Sequence, residues 1–411
     1  MKNKVKGFTL IELLAVIVIL AVILIIAVPK ITDTIKNSKI ASFESSAKTI
    51  AAQAEKKKME NEILEDTGSI NCSDIVKLND TDYGNCSITF DGNTAKVSLV
   101  GSGKFEGLQI INGTKDNAAA IETTGDSSTK KGVDFIKELY NDEKKRTANG
   151  LERDTTSDNN IRYVGANPSN YVEFNGETWR IIGVFGSNLK LVRDDILTEY
   201  SFDNKTTAQG IETNFGTNDW TNSYLREFLN DYYYEGKTIT CHSEASGAKE
   251  ATNATITCPD INKINESAKS MIQNTMWNLG GFVYGTKPVN EIYTKEKGTK
   301  VHRGHATKSS DYIGLIYPSD YGFASTGGSC SQNPFSGTCK INNWLYNGVR
   351  YWTISPSLSG SGSVFSVSGS GNLYDCSALI RLGVRPSLYL KSDVKVVGGT
   401  GTSSDPYILG V

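Results

Sequence analysis

Residues 1–30 read MKNKVKGFTLIELLAVIVILAVILIIAVPK, and this stretch decides how the rest of the chain is organised. Lys2, Lys4 and Lys6 make a positive flank, which holds the extreme N-terminus on the cytoplasmic side of a membrane. From Phe8 to Val28 every residue except Thr9 and Glu12 is apolar. At 1.5 Å per residue a helix over that run extends about 30 Å, the thickness of a bilayer core. A secretory signal carries its small-residue cleavage site after the apolar run. Here the small residue suited to cleavage, Gly7, comes before it, so the helix is expected to survive processing.

Glu12 is the informative position. A carboxylate inside an apolar membrane helix costs about 3 kcal/mol on insertion scales and therefore needs a partner. Cleavage after Gly7 would create a positive amine on Phe8, one helical turn away or on a neighbouring helix in a bundle. The string Gly7-Phe8-Thr9-Leu10-Ile11-Glu12, set between a basic leader and an apolar run, resembles the processing motif of type IV pilins and pseudopilins. That resemblance implies cleavage by a prepilin peptidase, N-methylation of Phe8, and filament assembly through the helix, with Thr9 and Glu12 at the assembly contact. Pro29 stands where such helices bend, since it removes one backbone hydrogen bond.

The spacing beyond Pro29 is helical and amphipathic. Ile31, Ile35, Ile40, Phe43, Ala47, Ile50, Ala51 and Ala54 recur at intervals of mostly three and four, with Lys36, Lys39, Glu44, Lys48 and Glu55 between them. One helix is thus predicted over 8–64, with 8–28 as membrane span and filament core and 1–7 as leader. From 65 to 125 the pattern changes to short strands around Ser87–Phe90, Lys96–Val100 and Phe105–Ile111, with turn signals at Asp91-Gly92-Asn93 and Gly101-Ser102-Gly103. The pilin resemblance implies that these form a small antiparallel head.

The polar stretch 126–159 reads as a linker with one short amphipathic helix around Val133–Tyr140. A larger extracellular α+β domain is predicted over 160–411. Phe174, Trp179, Ile181, Leu189 and Leu191 fit a hairpin across Gly186–Asn188, and Trp220, Leu225, Phe228 and Leu229 fit a helix capped by Thr221 or Ser223. The order of Trp179-Arg180-Ile181-Ile182, the Trp220–Asn230 helix, Trp352-Thr353-Ile354-Ser355-Pro356 and Gly383-Val384-Arg385-Pro386 resembles an uncharacterised Gram-positive extracellular domain. It is also similar to the formylglycine-generating-enzyme branch of C-type-lectin-like folds. The fold class expected for the whole chain is therefore α+β.

Composition narrows the partners. Lys and Arg total 43 against 45 Asp and Glu, so no concentrated basic surface argues for nucleic acid. Seven cysteines fall as Cys72/Cys86, Cys241/Cys258 and Cys330/Cys339, with Cys376 left over. Such spacings suit short disulfide loops in an oxidising exterior, and scattered buried thiols are the alternative. There are three histidines. His302 and His305 sit three apart around Gly304, which reads as a loop rather than a metal pair. Asp194-Asp195 reads as a turn after a strand rather than a carboxylate pair, and Cys376 as a buried thiol rather than a nucleophile. Neither a nucleophile elbow nor a phosphate-binding glycine loop occurs, so no enzyme, cofactor or metal is expected. Tyr232, Tyr233, Tyr234 and Trp344 are the candidates for an exposed ligand-binding surface.

These readings converge on a minor, tip-located pilin that moves from single-pass membrane protein to surface filament and displays its last domain for adhesion. The expected partners are the prepilin peptidase, other pilin subunits with their assembly machinery, the membrane, and a host glycan or protein. A pseudopilin of a type II secretion or DNA-uptake system is the alternative, with a surface-tethered enzyme behind it.

Overall fold

The computed structural model describes residues 10–64, 70, 72–75, 82–122, 130–208, 211–212 and 214–410, with side chains from Thr34 onward except at 73, 74, 84, 85, 122, 208, 211 and 212. Gly7, Phe8 and Thr9 lie outside the described residues, as do the side chains of Glu12 and Pro29. The chain divides into two compact units, Met1–Gly125 and Asp126–Val411, each mixing helix with β-sheet.

In the first unit one helix runs from Leu10 to Ile63, and so continues past Pro29. Among the described residues no helix is long and apolar enough to cross a membrane; the expected span, 8–28, precedes the first described side chain. The alternation in Thr94–Gly101 and the neighbouring strands builds a four-stranded antiparallel sheet in the order Tyr83–Asp91, Thr94–Gly101, Leu108–Gly113, Ile121–Glu122. Asp91 pairs with Thr94, which leaves Gly92-Asn93 as a two-residue hairpin loop. The helix buries Phe43, Ala47, Ile50, Ala51 and Ala54 against Ala95, Val97, Leu99, Leu108 and Ile110. Three alanines in that stripe let helix and sheet approach closely. Phe105 lies in the turn Gly103–Phe105 rather than in the third strand, because its ring is drawn under the sheet to pack on Phe43 and Tyr83. Ile35 is 63% exposed, so the buried stripe begins later than its periodicity suggests. Cys72 and Cys86 form a disulfide between the short helix Cys72–Ile75 and the first strand.

The second unit is built on an eleven-stranded and a five-stranded sheet that share one core. The stretch 126–159, read from sequence as a linker, contributes structure of its own. Lys130–Lys131 pairs with Lys395–Gly398, helix Gly132–Asn141 buries Val133 and Ile136, and Leu151–Arg153 pairs with Ile161–Tyr163. The centre of the large sheet is the hairpin Glu177–Phe185 and Asn188–Arg193, closed by Gly186-Ser187 with Gly186 at φ 61°. The Gly383-Val384-Arg385-Pro386 motif marks the crossing between sheets. Arg381–Val384 belongs to the five-stranded sheet, Pro386–Leu390 to the eleven-stranded one. Buried Arg385 ties the corner by donating to the carbonyls of Arg193 and Leu345. Disulfides close Cys241–Cys258 and Cys330–Cys339, and Cys376 is free and buried.

Candidate functional site

Tyr232, Tyr233, Tyr234 and Trp344 do not form an exposed surface. Ser223 caps the helix Tyr224–Glu227, and the chain then widens into a π-helical turn over Phe228–Tyr234, with Glu235 N–H donating to the Asn230 carbonyl. The wide turn tucks Tyr233 and Tyr234 into the core, where Tyr234 stacks on Tyr312 at 4.2 Å. Tyr232 is half-buried and its hydroxyl donates to the Pro259 carbonyl. Trp344 is buried, its Nε1 donating 2.8 Å to the Tyr163 carbonyl while the Arg180 guanidinium covers its ring.

The histidine pair is a loop feature. His302 Nε2 lies 3.1 Å from the Ser357 carbonyl oxygen, and its ring centroid is 5.7 Å from that of His305. Among the described residues no group of three or more His, Cys, Asp or Glu side chains is placed to hold a metal. Cys376 Sγ lies 2.6 Å from Arg350 Nη2 and 3.0 Å from Ser366 Oγ. Burial pushes its thiol upward in spite of both contacts, so the neutral form dominates at neutral pH. Asp194 sits in a bend, 3.5 Å from Arg180.

The concave site of the second unit lies elsewhere. A cavity of about 340 Å³ opens between strands Leu151–Arg153 and Ile161–Tyr163, the helix Pro318–Phe323, and the turn that enters Gly328–Gln332. Glu152, Arg153 and Asn290 are on its exposed rim, and Phe323, Ser331 and Gln332 supply an aromatic face and polar groups. Gly328 is exposed, and a Cβ there would meet nothing within 4 Å. The lining includes neither histidine nor cysteine.

Arg162 is the buried wall of this cavity. Its strand presses against Gly183, where a Cβ would stand 2.1 Å from the Ile161 carbonyl oxygen, so only glycine fits. The guanidinium is held between the rings of Phe185 and Phe323, each centroid 4.7 Å away. Nε donates 2.7 Å to Asp154 Oδ2 and Nη1 2.8 Å to Asp320 Oδ1, whereas among the described residues Nη2 has no partner. Lys190, fully buried, reaches Asp320 Oδ2 at 2.5 Å. Burial works against ionisation of Asp154, but Arg162 and donors from Thr156 and Asn160 hold its carboxyl below the usual range. Burial likewise opposes ionisation of Asp320, and the two cations outweigh it. Among the described residues no cation stands at hydrogen-bond range of Glu296; burial pushes it up to about 8 while it accepts from Ser319 N–H and Oγ–H. Two positive and two negative charges thus cancel behind the cavity, with Glu296 neutral at pH 7.

The sequence offered one signal for this network: Arg162 and Lys190 stand between apolar residues at interior positions of strands. It did not offer their partners, which come from elsewhere in the chain.

The family model of the prokaryotic N-terminal methylation motif matches residues 2–28. The chain therefore carries a prepilin-type N-terminus of the kind found in type IV pilins and pseudopilins, which implies peptidase processing, assembly with pilin subunits and a membrane-anchored N-terminus. No curated protein and no solved structure matches the chain.

Proposed function

We propose that this protein is a minor, tip-located type IV pilin whose second unit is an adhesive domain, non-enzymatic, that takes a saccharide in the Arg162 cavity. The observation that carries the filament role is the N-terminal motif at residues 2–28. The minor, terminal position follows from bulk, because a second unit of Asp126–Val411 on every subunit would crowd a filament. The saccharide follows from the lining. The charges behind the cavity already cancel, which favours an uncharged ligand; the half-buried Phe323 ring suits the C–H face of a sugar, and hydroxyl and amide groups around it suit its hydroxyls. The volume falls in the range of small-ligand sites, about 300–1,000 Å³.

Quantitative mass spectrometry of sheared filaments tests the first part: the protein is expected at low stoichiometry, and finding it as the dominant repeat would exclude a tip role. Glycan-array binding of those filaments tests the second, with Gly328→Trp as the control that fills the cavity mouth. Binding retained in full by that variant would remove the cavity from the account.

A further inference from the structure

We propose that Lys190 and Asp320 are joined by an intramolecular isopeptide bond, formed spontaneously once the second unit has folded. This goes beyond the adhesive reading and does not depend on it. The fold brings the two residues, 130 positions apart, to 2.5 Å between Nζ and Oδ2, both shut away from solvent. Nζ is ringed by Tyr317, Trp277, Tyr389 and Phe185 at 4.4, 5.3, 5.3 and 5.6 Å from their centroids. Among the described residues Asp320 is its only hydrogen-bond partner. Burial pulls the ammonium towards the neutral amine even with Asp320 in contact, which favours passing its proton to that carboxylate.

The arrangement of charge points the same way. Arg162 has its own buried counter-ion in Asp154, so Lys190 and Asp320 can be consumed together without stranding a charge. Conversion to an amide also removes the desolvation cost of a buried ion pair. Reactants held in contact reach effective molarities of about 10⁵–10⁸ M, enough to compete with the reverse attack by water in a dry site.

The step balances without a co-reactant. The Lys190 ammonium passes a proton to Asp320 Oδ2, and the freed Nζ lone pair attacks Cγ. Negative charge develops on Oδ1, where Arg162 Nη1–H already donates at 2.8 Å. A second proton leaves Nζ for the Oδ2 hydroxyl, which departs as water. The new C–N bond leaves Oδ1 as the amide carbonyl and one hydrogen on nitrogen. Glu296 is the positioning residue: fully buried, it accepts from Ser319 N–H and Oγ–H and so fixes the start of the helix that carries Asp320.

The test is the intact mass of the full-length protein after disulfide reduction, followed by peptide mapping. The expected result is a mass lower than the processed sequence by one water, together with a branched peptide linking the Lys190 and Asp320 segments. A chain of full mass, or separate linear peptides for the two segments, overturns the bond. Lys190→Met should restore the full mass; if it remains one water lighter, the loss lies elsewhere and the proposal fails. Glu296→Ala removes both acceptors from Ser319 and should leave a larger share of the folded protein at full mass than the wild type. Complete cross-linking in a folded Glu296→Ala protein would strike out the role given to Glu296.

Discussion

The two units close their cores by opposite means. In Met1–Gly125 the helix meets the sheet through Phe43, Ile50 and a run of alanines, and the one buried carboxylate among the described residues, Glu55, accepts from the Ala95 amide at the margin of that contact. In Asp126–Val411 the core encloses Arg162, Lys190, Asp154, Asp320 and Glu296; Asp154 is held by near neighbours in sequence, and the other four have partners far away in it. An apolar stripe needs only the right period and small enough side chains. A buried charge needs a particular partner at a particular atom, so it selects one arrangement and penalises every other.

That contrast can be broken most directly at Asp154. Asp154→Ala leaves Arg162 without its Nε partner in a dry site and is expected to cost about 3–5 kcal/mol in urea denaturation of the second unit. A loss below about 1 kcal/mol would mean that the network is ornamental.

Next in size is a pH effect. Glu296 has a folded value of about 8 against an ordinary 4.5, so between those values the folded state holds a proton that the unfolded state has released. Its contribution is complete below about pH 4.5 and is lost as pH rises to about 8, with a slope approaching about 1.4 kcal/mol per pH unit. Glu296→Gln should remove that slope from the stability profile, and an unchanged profile would contradict the assignment.

Two smaller effects concern contacts that local pattern alone specifies, one in each unit. Ala51→Leu overfills the helix–sheet contact and is expected to cost about 1–3 kcal/mol, measured as a lower midpoint for the first unit alone. Asp142 accepts from the amides of Lys144 and Lys145 at the start of helix Glu143–Asn149, and Asp142→Ala should cost about 1 kcal/mol.

Where pattern alone specifies structure, the sequence was readable. The spacing of Ile40, Phe43, Ala47, Ile50 and Ala54 pointed to the face that packs on the sheet, and Gly92-Asn93 and Gly186-Ser187 lie where the hairpins turn. The second unit resisted the same treatment because its decisive contacts are long-range. Asp320 stands 158 residues from Arg162 and 130 from Lys190, and no local period reports such pairings. The tyrosine run shows a different failure. By sequence Tyr232, Tyr233 and Tyr234 are all surface candidates; the π-helical turn changes the angular step and buries two of them. The cavity was invisible for the same reason as the charges, since its lining is gathered from Glu152 to Gln332.

The filament role rests first on the N-terminus, and the most direct measurement is the mature N-terminal peptide of protein isolated from its native membranes, read by mass spectrometry. A chain that begins at N-methylated Phe8 is the predicted result. An intact Met1, or cleavage after Val28, would contradict it.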